Sequence, residues 1–289
     1  QVAIIIDNLD KAWDQASDLG SLSDVLFGLL RVARDMGSDL QIKGSNDAAP
    51  VVNLVVFLRS DIFYRVMSSA REPDKLTHYP IAWNDPEALL QVVEERYIQS
   101  RNGDVKGSDL WAEFFCENVA GMPTRNYLVS RIFPMPRDIL FFVNAAIATA
   151  VSRGHAIVSE DDILKAEQEY SKFAIESISV EDSSESRLLE DVITEFVGSP
   201  SVLPATEAIA LIQSGGAKSD PEWMLEYLCK LGFLGREVND GDFRFAEDPR
   251  EYHKIERLAS RFAIKSKCDQ RYMINYPFWA YLEVEPVSS

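Results

Sequence analysis

"QVAIIIDNLDKAW", residues 1–13, holds an unbroken apolar run from Val2 to Ile6 that ends at Asp7, with Asp10 three positions further on. Such a run, rich in Ile and stopped by Asp and Asn, reads as a strand buried on both faces of a parallel sheet. A second run of this kind is "VVNLVVFLRSD", residues 51–61. Between the two, "SLSDVLFGLLRVARDM" places Leu22, Val25, Leu26, Leu29, Leu30 and Ala33 on one helical face, with Ser21 or Ser23 as the cap. Strand, helix and strand in that order form a right-handed crossover, so the expected fold class is α/β with a parallel sheet in residues 1–84.

From residue 85 the periodicity becomes helical. "DPEALLQVVEERYIQ", "SDLWAEFFCENV", "PTRNYLVSRIF", "PRDILFFVNAAIATAVSRG" and "SEDDILKAEQEYSKFAIESI" each repeat apolar residues at 3.6 spacing. Asp85-Pro86 and Pro136 open helices, Gly154 follows a helix end, and Ser159 with Asp162 spells a capping box. A helical bundle over 85–182 follows, and the polar stretch "VEDSSESR", residues 180–187, reads as a linker. Residues 183–289 then give helices near 187–197, 204–213 and 221–231 and a hairpin about Asn239-Asp240-Gly241. Three helices and a hairpin is the order of a winged helix. A further helix near 249–265 and an aromatic tail close the chain.

Composition narrows the function. A formal charge of -17 and a pI near 4.6 argue against a general polyanion binder, because phosphate backbones are held mainly by Lys and Arg. Cys116, Cys229 and Cys268 are far apart and without metal-like spacing, which fits free, mostly buried thiols in a reducing cytosol. No apolar run approaches the roughly 18 residues of a membrane helix and no signal peptide is evident, so a cytoplasmic protein without a membrane partner is expected. Trp13, Trp83, Trp111, Trp223 and Trp279 sit in apolar patterns and read as core.

Chemistry concentrates at three places. The strand ending at Asp7 has the form that Mg²⁺-nucleotide sites use, because a carboxylate there can hold the metal or its water beside phosphates. "FLRSDIF" puts Arg59 at the carboxyl end of the second strand, where open sheets bind ligands, although a pair with Asp61 or Asp7 would serve it equally. "MPRDILFFVNAA" sets Arg137 at a helix N-terminus, within reach of a phosphate or of an ion pair with Asp138.

"IIIDNLDKAW", "VVFLRSDIF" and "MPRDILFFVNAA", in this order, resemble the Walker B strand, the sensor-1 strand and the helical-lid arginine motif of bacterial STAND/AAA+-like P-loop ATPases, close to the KAP-type group. The resemblance spans nearly the whole chain. It implies that Asp7 organises Mg²⁺ and water, that Arg59 is sensor 1, and that Arg137 is the lid or sensor-2 arginine contacting nucleotide. Asp10 matches the acid of the group's Leu-Asp-Arg element, with Lys11 in place of the arginine. Asn8 stands where relatives often carry the acid that polarises the attacking water, and an amide cannot accept that proton, so hydrolysis is slow or relies on Asp10. No G-x-x-x-x-G-K-[ST] is present, so nothing here cradles the β- and γ-phosphates. The expectation is the carboxyl-terminal part of a longer switch ATPase, inactive by itself, with ATP and Mg²⁺ as ligands between core and lid. The implied setting is bacterial signalling or anti-phage defence, with a homo-oligomer or an effector protein as partner. The alternatives are a DNA-binding winged-helix regulator and a scaffold with a dead nucleotide fold.

One basic feature stands apart. Arg250, Lys254, Arg257, Arg261 and Lys265 recur every three or four residues on one helix face, against Ile255, Leu258 and Phe262 on the other. This is either a solvated face or a dock for an acidic partner, nucleic acid included. The third helix, "PEWMLEYLCKLGF", is a poor phosphate surface, and residues 186–289 carry 12 basic and 17 acidic side chains, so charge disfavours DNA.

Overall fold

The computed structural model describes residues 2–7, 9, 19–42, 52–69, 76, 78–180, 186–247 and 249–287. Two compact units emerge, Gln1–Ile81 and Ala82–Ser289.

In the first unit, β1 (Val2–Ile6) and β2 (Val52–Val56) pair in parallel, Val2 opposite Val52 and Ile6 opposite Val56. The connection between them contains α1 (Leu19–Ile42), and α2 (Ser60–Ser69) follows β2. Leu26, Ile62 and Val66 form its buried core, with Leu9, Leu22, Phe27 and Leu58 packed against it. Three expectations change. The second strand is shorter than 51–61, because the chain turns after Val56 and winds into α2 from Ser60. Ser21 and Ser23 lie inside α1 rather than capping it, since the helix already begins at Leu19. The strands are not buried on both faces: Ile4, Ile5, Val55 and Phe57 are exposed, as is Val25 of α1.

The second unit begins with α3 (Pro86–Ser100), α4 (Gly107–Phe114), α5 (Thr124–Ser130), α6 (Pro136–Ser152) and α7 (Glu160–Val180), with the short β3 (Asn118–Val119) and β4 (Met122–Pro123) as a hairpin. The punctuation read from sequence holds: the Asp85 side chain accepts from the Glu87 amide at 3.0 Å, and Pro86 and Pro136 occupy first turns. Gly154 takes a positive φ of 73° just past α6, a conformation that a side chain would strain. The Ser159–Asp162 box is closed in both directions, at 2.9 and 3.3 Å. Asp162 also receives Arg153 at 2.6 Å and meets His155 Nδ1 at 2.8 Å. Burial opposes its charge, but the hydrogen bonds from His155, Ser159 and Arg153 outweigh burial and hold its carboxyl well below the usual range.

The chain continues through α8 (Ser186–Thr194), β5 (Val202–Pro204), α9 (Ala205–Ser214), α10 (Pro221–Lys230), β6 (Leu234–Asn239), β7 (Asp242–Arg244), α11 (Pro249–Ser266), β8 (Arg271–Ile274), a 3₁₀ turn at Tyr276–Phe278 and α12 (Trp279–Leu282). The hairpin is present, with Asn239 opposite Asp242 and Gly241 at φ 70°. Its first strand does not alternate, because β6 lies inside the sheet order β5-β8-β6-β7 and buries Leu234 through Glu237. The two charges so buried are paired: Arg236 with Glu226 and Tyr272, and Glu237 with Arg271 and the Gly241 amide. Burial pushes the nearby Cys229 thiol up to about 12, whereas Cys116 is half-buried and Cys268 exposed, so only one of the three thiols is buried.

One core serves this unit from Leu89 to Val284. Phe278 is fully buried, 5.5 Å from the Phe133 ring and 5.0 Å from Phe233, which in turn meets Phe196 at 5.2 Å. The Tyr281 amide donates to Ser171 of α7 at 3.0 Å. The aromatic tail therefore ties α5–α7 to the carboxyl-terminal sheet. The expected linker lies largely outside the described residues. Most tryptophans are partly buried against the core, but Trp223 is 45% exposed and stacks on Tyr227 instead, and Trp13 lies outside the described residues.

Phe278→Ala is expected to cost about 3–5 kcal/mol. Hydrogen exchange should accelerate together in α5–α7 and in β6–β8; acceleration confined to one part would contradict a shared core. For Asp162 the depressed folded value sets the sign: its contribution is complete above about pH 4 and is lost as pH falls below that. Asp162→Asn should lower the thermal midpoint at pH 7 and matter progressively less in acid.

Candidate functional site

The parallel register carries Asp7 and Arg59 to one edge of the two-stranded sheet. Pairing extends one step past β1, the Phe57 amide donating to the Ile6 carbonyl at 2.9 Å, and Asp7 leaves there with its side chain exposed. Two residues after Phe57, the Arg59 carbonyl accepts the Phe63 amide at 2.9 Å and so begins α2. Both residues thus stand at the carboxyl edge of adjacent strands, as the sequence predicts. Asn8 and Asp10 lie outside the described residues. Among the described residues no group of three or more His, Cys, Asp and Glu side chains is placed to hold a metal ion.

Arg137 belongs to the second unit. Its guanidinium is 67% exposed on the first turn of α6, lies over the Phe173 ring at 5.5 Å, and sits 3.9 Å from Asp138 Oδ2. The contrast with Asp138 is large: that carboxylate is 2% exposed. Its Oδ1 accepts from the Tyr170 hydroxyl at 2.9 Å, and the same hydroxyl accepts the Phe133 amide at 2.9 Å. Burial pushes the Asp138 carboxyl above its ordinary value, with the Tyr170 bond and the Arg137 charge opposing the shift. Sequence spacing marked Asp138 only as an ion-pair partner; an acid flanked by Arg and an apolar helix gives no sign of full burial.

A second buried acid lies on α7. Glu167 accepts the Tyr127 hydroxyl and lies 3.6 Å from Arg131 Nε. The Arg131 guanidinium is stacked among Tyr127, Tyr276 and Trp279 at 5.0, 5.2 and 5.5 Å. Burial raises the Glu167 carboxyl against the hydrogen bond from Tyr127 and the Arg131 charge. Nothing in the sequence pointed to Arg131, because two of its aromatic partners arrive from the far end of the chain.

The basic stripe on α11 is one face of a real helix. Tyr252, Ile255 and Ala259 are buried, whereas Lys254, Arg257, Arg261 and Lys265 are exposed. Lys254, Arg257 and Arg261 line, with His253 and Leu258, an open cleft of about 610 Å³. Leu258 was expected on the core side with Ile255; it turns partly outward because it lies at the boundary of the two faces. The Arg250 side chain is outside the described residues.

Residues 87–179 match the FunZ-associated C-terminal helical domain family. The matched span runs from the start of α3 to the end of α7, so Asp138, Tyr170, Arg131 and Glu167 all belong to it. The match concerns a helical domain and carries nothing of the STAND or KAP-type resemblance. No curated protein matches the chain significantly. Among the described residues no helix is long and apolar enough to cross a membrane.

A raised folded value means that the charged form of Asp138 costs stability, and that folding takes up a proton as pH falls. Asp138→Asn keeps an acceptor for Tyr170 and removes the buried charge. It should raise the thermal midpoint at pH 7, by about 2–4 °C per kcal/mol recovered, with the gain shrinking toward acid pH. A gain that grows in acid would reverse the sign assigned to burial.

Proposed function

We propose that this chain works as part of a nucleotide-dependent switch ATPase, with its nucleotide contacts at the carboxyl edge of β1 and β2. The observation carrying the reading is that Asp7 and Arg59 leave the same edge of two parallel strands linked through a helix. Open α/β sheets bind ligands at such edges, because loops and helix N-termini there present unpaired donors. A single exposed carboxylate fits Mg²⁺, which keeps several waters and takes one or two carboxylates beside phosphates. When bound, the ion supplies neutralisation of phosphate charge. Asp7 would orient it through water, Arg59 would counter charge developing on the transferred phosphoryl group, and Arg137 is the second guanidinium assigned to phosphate. Asn8 and Asp10 complete the reading as the residues beside the attacking water.

Within the same proposal, α8–α10 and the β6–β7 hairpin act as a winged-helix element that passes the nucleotide state to an effector or to another subunit. Here β8 stands between β5 and β6, an addition to the simple three-helix-and-hairpin order. A DNA-reading role for α10 is disfavoured: Glu222 is exposed, Glu226 is occupied by Arg236, and the hairpin tip carries Asp240 and Asp242. The helical body matching the FunZ-associated domain would carry Arg137.

In the full-length protein, Asp7→Ala is expected to lower ATP turnover about 100-fold or more, and Arg137→Ala about 10–100-fold. Turnover and Mg²⁺-dependent affinity unchanged in both variants would remove the site assignment.

A further inference from the structure

The strip on α11 is unneutralised. Lys254, Arg257, Arg261 and Lys265 form no ion pair among the described residues, whereas the two acids of the helix are engaged elsewhere, Glu256 beside His253 at 3.4 Å and Glu251 accepting the Glu247 amide at 3.3 Å. Like charges three and four residues apart on a helix repel, so a surface that gathers them without internal partners is stabilised by an external anion. The chain as a whole supplies the contrast, with a formal charge of -17.

Two features choose the kind of anion. A nucleic acid presents phosphates over a long track, and elsewhere the carboxyl-terminal section exposes Asp240, Asp242, Asp269 and Glu222. The strip itself is short: from Lys254 to Lys265 the helix rises about 16 Å, three turns. It is also partly apolar. Leu258 lines the cleft, and Ile264, 79% exposed, shares a face with Arg257 and Arg261, being seven and three residues from them. Phosphates gain nothing from these side chains, whereas a peptide with carboxylates and an apolar residue uses both.

We propose that this face of α11 docks an acidic, amphipathic segment of a protein partner, its carboxylates on Lys254, Arg257 and Arg261, one apolar side chain against Leu258 in the cleft and a second against Ile264 beside it. The site lies wholly in the second unit and does not depend on nucleotide binding. Arginine suits the role, since its planar fork holds carboxylates bidentately.

The test uses the full chain and fluorescence anisotropy with a labelled helical peptide about sixteen residues long, bearing Glu and Leu at i, i+3 and i+4 positions. Its Lys-for-Glu counterpart and a duplex DNA about 20 base pairs long serve as comparisons. Binding of the acidic peptide should weaken at higher salt, at least tenfold in Arg257→Glu/Arg261→Glu, and several-fold in Leu258→Ser/Ile264→Ser. Arg257, Arg261 and Ile264 are exposed and Leu258 is half-exposed, and unchanged circular dichroism in both variants is the control that separates lost docking from lost fold. Failure to bind the acidic peptide, indifference to the charge reversal, or tighter binding of the DNA through the same arginines would overturn the proposal, the last in favour of nucleic acid.

Discussion

The second unit depends on one buried ring. Phe278 enters between Phe133, which follows α5, and Phe233, which precedes β6. A helical body and a small sheet that would each expose an apolar face thereby close over a common interior. The first turn of α6 inherits its position from this arrangement: the Phe133 amide is held by Tyr170, and Tyr170 holds Asp138 beside Arg137. Arg131 is fixed from the same direction, its guanidinium stacked on Tyr276 and Trp279.

Charge is handled in two opposite ways. Asp138, Asp162, Glu167, Arg236 and Glu237 are buried, and each has a hydrogen-bonded partner, since an unpaired buried charge would cost several kcal/mol. Such pairs add little net stability over apolar residues of the same volume, but they tolerate few alternative packings. On α11 the arrangement reverses, with cations outward and no partner among the described residues. The FunZ-associated span contains three of the five buried charges, and the basic cleft falls beyond it.

Much of the local structure was legible. Proline, aspartate and glycine punctuation located α3, α6 and α7 to within about two residues, the Asn239-Asp240-Gly241 turn located the hairpin, and helical spacing aligned the cations of α11. Asp7 and Arg59 reached a common sheet edge because parallel pairing of two such strands leaves little freedom of register. Burial was less legible. Apolar runs taken for doubly covered strands expose Ile5 and Val55, and the strand taken for half-exposed, β6, is buried through Glu237. A run of residues records which side chains prefer an interior, not how many layers arrive to make one.

From its residues alone the chain determined the order of its main helices, the first two strands and the β6–β7 hairpin, because the periods of 3.6 and 2 and the φ demands of proline and glycine act within a few residues; β5 and β8 gave no such signal. The tertiary structure alone decided which charges are buried, which side of α11 claims Leu258, and that α7 meets the tail. The last of these joins Ser171 to Tyr281, 110 positions apart. Contacts at that separation depend on the summed shape of everything between them, and no local spacing encodes it.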